Sequence, residues 1–197
     1  MVTIKDGNSG KTARVNSENE VHVVSKSLTH ESHQALIEGE VFLVSIPRLT
    51  VTSTEGLMLY IKNDGTKTIA LTKIHMFWNG GTTNHNRAAY MRISAGLTAP
   101  DTNDTAGTAS NTNLTSAIVS DVTVQYWDET GTGMTGFTEG GTVARPILTQ
   151  GDNLFNCDGA FVLGPTDTMG FHVAGVETGE FSMCIRFMES NFSELTD

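Results

Sequence analysis

Large apolar side chains recur at every second position through much of the chain, the spacing that turns one face of a β-strand into a core. In Phe181-Ser182-Met183-Cys184-Ile185-Arg186-Phe187 the odd positions are large and apolar, and the even ones are small or polar. Ile118-Val119-Ser120-Asp121-Val122-Thr123-Val124-Gln125-Tyr126 does the same on its even positions, with Ser120 as the gap. Leu57-Met58-Leu59-Tyr60-Ile61 runs into Asn63-Asp64-Gly65 and out through Thr68-Ile69-Ala70-Leu71. An Asp-Gly pair between β-rich runs is a strong hairpin signal, because both residues accept the positive φ of a type I′ turn. Asp64-Gly65 is therefore expected to close a hairpin, with Asp158-Gly159 and Glu177-Thr178-Gly179 as two further candidates.

Beyond Gly65 the pattern changes phase. Apolar residues fall on odd positions at Ile69 and Leu71, then on even positions at Ile74, Met76 and Trp78. A one-residue shift flips every side chain of a strand to the other face. The pattern predicts a β-bulge near Thr72-Lys73 that absorbs one residue, or else a strand that crosses there between packing layers.

Two stretches break the rhythm. Residues 98–113 are all Ala, Pro, Asp, Thr, Asn, Gly or Ser, so a mobile surface loop without an anchoring side chain is expected. Residues 129–141 are rich in Gly and Thr, with Met134 and Phe137 as isolated anchors of a second long loop. Only residues 30–40 read as a candidate helix, capped by Ser27 or Thr29 and ended by Gly39. Many short strands, long loops and almost no helix predict an all-β protein. Residues 39–197 are expected to form a β-sandwich or jelly-roll-like domain, preceded by an N-terminal hairpin arm over residues 1–38. That arm is poor in apolar surface, and a two-stranded hairpin is marginal alone in water, so it is expected to gain order by docking on a partner.

Composition narrows the function classes. The chain carries 12 basic and 22 acidic residues, for a formal charge of −10. Nucleic-acid binding draws its affinity from clustered Lys and Arg, so this balance argues against it. No apolar run approaches the ~20 residues that span a bilayer, and the opening residues lack the apolar core of a secretory signal. Synthesis in a cytosol and no membrane partner are expected. Cys157 and Cys184 are too few for a disulfide framework and read as free thiols.

Motif-like stretches fall short of the chemistry they resemble. Gly7-Asn8-Ser9-Gly10-Lys11-Thr12 has Lys5 where a phosphate-binding loop needs its first glycine, and a hairpin rather than a helix follows. His30-Glu31-Ser32-His33 is one residue short of the zinc-protease spacing. Asp101-Thr102-Asn103-Asp104 opens like a calcium loop, but Gly107 comes one place late and Thr112 stands where the closing Glu belongs. Asp121, Asp128 and Glu129 are the one acidic cluster that a polysaccharide hydrolase could draw on. No catalytic residue, cofactor or metal is expected.

The aromatic pairs Phe77-Trp78 and Tyr126-Trp127 place adjacent rings on opposite faces of their strands. One ring of each pair should leave the core, packed under a loop or placed at a subunit interface. Trp78 and Trp127 are the interface candidates. From the arm, Val2, Ile4, Asp6, Gly7, Gly10, Val21 and Val23 join them as candidate contacts with a partner or a second subunit.

Asp6-Gly7-Asn8-Ser9-Gly10, then Ala13-Arg14-Val15, Asn19, Val21-His22-Val23 and Ser25, with Gly39 and Phe42 leading into the β domain, resembles the opening of many tailed-bacteriophage virion proteins. Thr166-Asp167-Thr168-Met169-Gly170-Phe171-His172-Val173 is similar to the penultimate strand of such proteins. The resemblance implies a non-enzymatic head decoration (cement) protein on the outer capsid surface of the virion, made in the host cytoplasm. It further implies a homotrimer of sandwich subunits whose partner is the major capsid protein. The long Thr/Asn/Gly loop departs from that pattern. A tail fibre, adaptor or receptor-binding module of the same β texture is the alternative.

Overall fold

The computed structural model describes residues 3–5, 12–15, 21–22, 40–80, 89–157 and 160–190. Near the N-terminus β1 (Thr3–Lys5), β2 (Thr12–Val15) and β3 (Val21–His22) form a small antiparallel sheet in the order β1-β2-β3. Val15 faces Val21 and Arg14 faces His22, which is the expected hairpin, and β1 adds a third strand. The candidate helix lies outside the described residues up to its last residue, Glu40.

The remaining strands build a β-sandwich with every pairing antiparallel. Sheet I runs β13 (Gly151–Asn156), β6 (Thr68–Gly80), β16 (Gly179–Ser190), β4 (Val41–Val51), β9 (Ala109–Asn111), with β14 (Val162–Leu163) also on β6. Sheet II runs β11 (Gly141–Ala144), β7 (Ala89–Ala95), β15 (Thr168–Gly175), β5 (Gly56–Asn63), β10 (Val122–Trp127), β8 (Asp104–Ala106), with β12 (Ile147–Leu148) also on β7. The pairings are nested: β4 with β16, β5 with β15, β6 with β13, β7 with β11 and β12. Early and late strands thus pair across the chain in both layers, while β8, β9 and β10 add to the far ends of the sheets. The last two strands, β15 and β16, lie between neighbours on both sides, at the centre of their sheets.

The core follows the alternation. In β16 every odd residue from Gly179 to Glu189 is buried, and the even ones are half-buried. Phe187 stacks on Phe42 at 5.6 Å between ring centroids, worth about 0.5–1.5 kcal/mol beyond burial alone. The expected bulge is present in β6: Arg186 faces Lys73 but Phe187 faces Leu71, leaving Thr72 as the extra residue. Thr72 Oγ1 donates to the Arg186 carbonyl at 3.2 Å, so the bulge is pinned. Ile69, Leu71, Ile74, Met76 and Trp78 are all buried as a result.

The three hairpins are corrected. β5 belongs to sheet II and β6 to sheet I, so Asp64-Gly65 carries the chain between layers. Neither residue has positive φ. The reason lies in the run before the turn. Leu57, Met58, Leu59, Tyr60 and Ile61 are all buried, without alternation, as suits a strand with neighbours on both edges and cover on both faces. The buried Asn63 shapes the corner: its Nδ2 donates to the carbonyls of Lys67 (2.8 Å) and Leu163 (3.1 Å), and its Oδ1 accepts from the Gly65 amide. Residues 177–179 likewise link β15 in one sheet to β16 in the other. Asp158-Gly159 lies outside the described residues, and the strands flanking it, β13 and β14, both pair with β6 instead of each other.

The segment 98–113 is anchored after all, by its backbone. β8 pairs with β10 at the end of sheet II, and β9 pairs with β4 at the end of sheet I. Small Thr, Ala, Ser and Asn side chains suffice there because the ladder bonds need none. Ile118 and Val119, expected in a strand, precede β10 and are exposed.

Because β16 bonds to β4 and β6 together, a chain ending at Thr178 should lose the whole sandwich. The expected result is no cooperative thermal transition by circular dichroism, and a truncated chain that melts cooperatively contradicts the nested order.

Candidate functional site

A polar constellation sits on the outer face of sheet II. β7 sends Met91 and Ile93 into the core and Tyr90, Arg92 and Ser94 outward. β15 sends Phe171 and Val173 inward, and Gly170, His172 and Ala174 outward. Register places His172 opposite Arg92 and Gly170 opposite Ser94. The Gly/Thr-rich loop 129–141 lies over them. Met134 bridges to Leu57, and the Phe137 ring approaches the His172 ring at 5.9 Å. Gly170 leaves room for the Leu97 and Leu57 side chains, whose terminal methyls would stand 2.8 and 2.9 Å from a Cβ there and would have to shift.

Arg92 ties the arrangement together. Its Nη1 and Nη2 donate to the two Glu139 oxygens at 3.0 and 3.2 Å, and its Nε donates to Glu55 at 2.7 Å. Burial works against the Arg92 charge, but the hydrogen bonds with Glu139 and Glu55 outweigh it and its pKa is raised. The same bonds hold Glu139 below its ordinary value. Burial, then the neighbouring guanidinium, pushes His172 down to about 4, so the imidazole is neutral.

The tautomer follows from the donors. Arg92 Nη2 lies 3.0 Å from His172 Nδ1 and can only donate, so Nδ1 accepts and Nε2 carries the proton. Nε2 then donates to Ser94 Oγ at 2.8 Å, and Ser94 donates onward to the Gly170 carbonyl at 3.4 Å. A Ser-His pair at this distance resembles part of a nucleophilic triad, but its polarity is reversed. A general base needs a free Nε2 and a carboxylate on Nδ1–H. Here Nε2 already holds its proton and a cation occupies Nδ1. Ser94 and His172 are also both buried, so the chain of bonds braces loop 129–141 on the sheet.

A second group closes one end of the sandwich. Glu189 is buried on the inward-facing row of β16 and accepts a hydrogen bond from Ser120. Lys67 pairs with Glu40 nearby. Burial raises the Glu189 pKa, with Ser120 and Lys67 opposing and Asp121 and Glu40 adding to the shift.

The candidates from the sequence fall elsewhere. Trp78 and Trp127 are core residues, which removes them from the surface. Gly175 and Gly179 make room for the Trp78 ring, and Trp127 Nε1 donates to the Thr130 carbonyl at 2.7 Å. The outward rings of the two pairs are Phe77, with Arg48 5.8 Å from its centroid, and Tyr126, packed at the core margin. Ile4 and Val21 fall within β1 and β3, while Val2, Asp6, Gly7, Gly10 and Val23 lie outside the described residues, as does His30-Glu31-Ser32-His33. In the calcium-like stretch, Asp104 accepts from Gln125 Nε2 at 2.6 Å and Asn103 Nδ2 donates to the Gly133 carbonyl. Among the described residues no three His, Cys, Asp or Glu gather as metal ligands. Asp121 and Asp128 flank opposite ends of β10, roughly 20 Å apart by strand rise, so they form no carboxylate pair. Glu129 instead accepts from the Thr50 amide at 2.7 Å. Cys157 is buried and Cys184 half-buried, and no disulfide joins them.

The Arg92-His172 group was not anticipated. Its members come from four distant stretches, and the local signal was limited to polar His172 standing between Phe171 and Val173 in an apolar strand. Comparison with protein-family models, curated proteins and solved structures gives no match.

Two pH dependences follow. His172 binds its proton in the unfolded chain below its ordinary value of 6.5 and in the folded chain only near 4. Stability is therefore full above 6.5 and falls as pH drops toward 4, by on the order of 2–3 kcal/mol. The His172→Gln variant should lack that slope in urea titrations across this window, and an equal slope in both proteins refutes the buried neutral imidazole. Glu189 has the opposite sign. Its folded pKa is raised, so ionisation weakens the fold as pH rises past the ordinary carboxylate range. Glu189→Gln should gain in melting temperature over the parent as pH rises from acid to neutral, and a constant difference argues against it.

Proposed function

We propose that this protein is a non-enzymatic structural component of a tailed-phage particle, a decoration protein that binds the major capsid protein on the outer surface of the head and acts there as a homo-oligomer, a trimer by resemblance. The observation that carries this reading is where the polar chemistry is used. Arg92, Glu55, Glu139, His172 and Ser94 fasten a loop to a sheet and leave no free nucleophile or base at that site. The nested strand order supports a jelly-roll reading of the sandwich. The N-terminal block resembles virion proteins, and its short strands suit an arm that gains order on a partner. Net acidic charge suits a surface kept away from packaged DNA.

The test is a binding assay on particles that lack the protein. Full-length chain should decorate them in amounts comparable to the major capsid protein, while a chain without residues 1–25 should stay folded and fail to bind. Incorporation only in the small numbers of a tail component favours the tail-module alternative. Equal binding by the truncated chain removes the arm from the mechanism.

A further inference from the structure

The two sides of the sandwich are closed in the same manner but finished in different chemistry. On one side β8 ends sheet II and β9 ends sheet I, joined through Gly107-Thr108. On the other, β11 and β12 end sheet II, β13 and β14 end sheet I, and Thr149-Gln150 joins β12 to β13. Edge strands offer unpaired backbone groups, and soluble monomers blunt them with short strands and polar side chains. The strands β8 and β9 do so, with Asp104-Thr105-Ala106 and Ala109-Ser110-Asn111, and the exposed Leu114, Ile118 and Val119 near them belong to the connection from β9 to β10 rather than to an edge strand.

The opposite side does not. Each of its four short strands exposes one aliphatic side chain: Val143 (50%), Ile147 (63%), Leu154 (62%) and Val162 (52%). Tyr90 (54%) stands directly across from Ile147 in the β7–β12 pair. These are five of the nine large hydrophobic residues exposed among the described residues. Scattered apolar residues on a surface need no explanation, but a row with one on every edge strand of a single side does.

We propose that the β11–β14 side is the surface on which copies of this chain associate with one another. The charges on that side select a second copy as the occupant. Arg145, exposed between β11 and β12, makes no ion pair with a described residue. Asp152 on β13 is exposed and approaches only His75, at 3.4 Å. The edge of sheet II thus offers a cation, and the edge of sheet I offers a carboxylate. Laying the sheet II edge of one copy along the sheet I edge of another sets Arg145 against Asp152 of the partner subunit. The same contact brings Val143 and Ile147 onto Leu154 and Val162 of the partner subunit. A patch that carries both signs beside an apolar row is complementary to itself, and it serves a two-fold pair or a closed ring equally. The assignment deepens the oligomer part of the proposed function and rests on it, independently of the capsid.

Sedimentation velocity on the full chain between about 1 and 100 µM reads the association directly. The parent should sediment as an oligomer. The double variant I147E/L154E should weaken association at least about 100-fold, and T105E/S110E on the polar side should leave it unchanged. R145D should weaken it about tenfold, and R145D/D152R should restore it. In the unmodified protein, amide exchange over β11–β14 should slow as concentration rises, a readout that needs no variant to fold. A parent that stays monomeric at the top concentration overturns the proposal, as does I147E/L154E associating as tightly as the parent. Protection over β11–β14 in a chain that sediments as a monomer also overturns it, since the cover would then be intramolecular. Particle decoration by a monomeric parent would sink the self-association and leave the capsid reading standing.

Discussion

The fold depends on two strands far along the chain that sit in the middle of the sheets. β15 and β16 each pair on both sides, so neither sheet has a continuous ladder without them. Such nested, long-range pairing costs loop-closure entropy before any contact offsets it, which makes register the critical quantity. Register in β16 is held by strict alternation, and its neighbour β6 conforms by ejecting Thr72. Without that bulge either Ile69 and Leu71 or Ile74, Met76 and Trp78 would face away from the core. On the β4 side the mismatch is absorbed at Pro47-Arg48, opposite Ser182, where a proline costs no ladder bond.

The long excursion between β7 and β11 is reconciled with this frame by backbone rather than side chains. It contributes β8 and β10 to sheet II and β9 to sheet I, and so widens both layers beyond β5 and β4. Of these three strands only β10 brings large buried groups, Val124 and Trp127. The Thr- and Asn-rich remainder folds on main-chain hydrogen bonds and short side-chain turns, such as Asn111 Oδ1 accepting from the Asn113 amide at 2.8 Å. Polar composition there reflects pairing at an edge, where a large side chain has nothing to pack against.

The sequence was most legible where the physics is local. Alternation in residues 181–187 located a strand with one buried face, and the phase change between Leu71 and Ile74 placed the bulge near Thr72-Lys73, where Thr72 proves to be the extra residue. Met134 and Phe137 were readable as the anchors of loop 129–141. Connectivity was not readable. Asp64-Gly65 has turn chemistry, but whether a turn joins strands within one sheet or across two depends on what lies beside them. For β5 those neighbours, β15 and β10, are about sixty or more residues away in the chain. The unbroken burial of Leu57 to Ile61 carried that information, since a hairpin arm with one wet face would alternate. Trp78 and Trp127 misled because strand geometry says that one ring of a pair points outward without saying which.

Loop 129–141 shows why the polar group on sheet II has the composition it does. Two apolar anchors cannot hold a segment with so many glycines, because each ordered residue costs about 1–2 kcal/mol of backbone entropy. Glu139 supplies the missing constraint, a bidentate bond to a guanidinium already shielded from water, where such a bond is strong and directional. That placement creates a further demand. Arg92 stands over β15, and the residue opposite it must accept a hydrogen bond without adding positive charge. A lysine or a protonated imidazole fails, and an apolar side chain leaves an N–H unpaired. A neutral histidine meets the demand on Nδ1 and donates its Nε2–H to Ser94 Oγ. The depressed pKa of His172 therefore follows from burial first and then from the arginine that fastens the loop, and the same arginine fixes the neutral tautomer by donating to Nδ1, which leaves Nε2 to donate to Ser94.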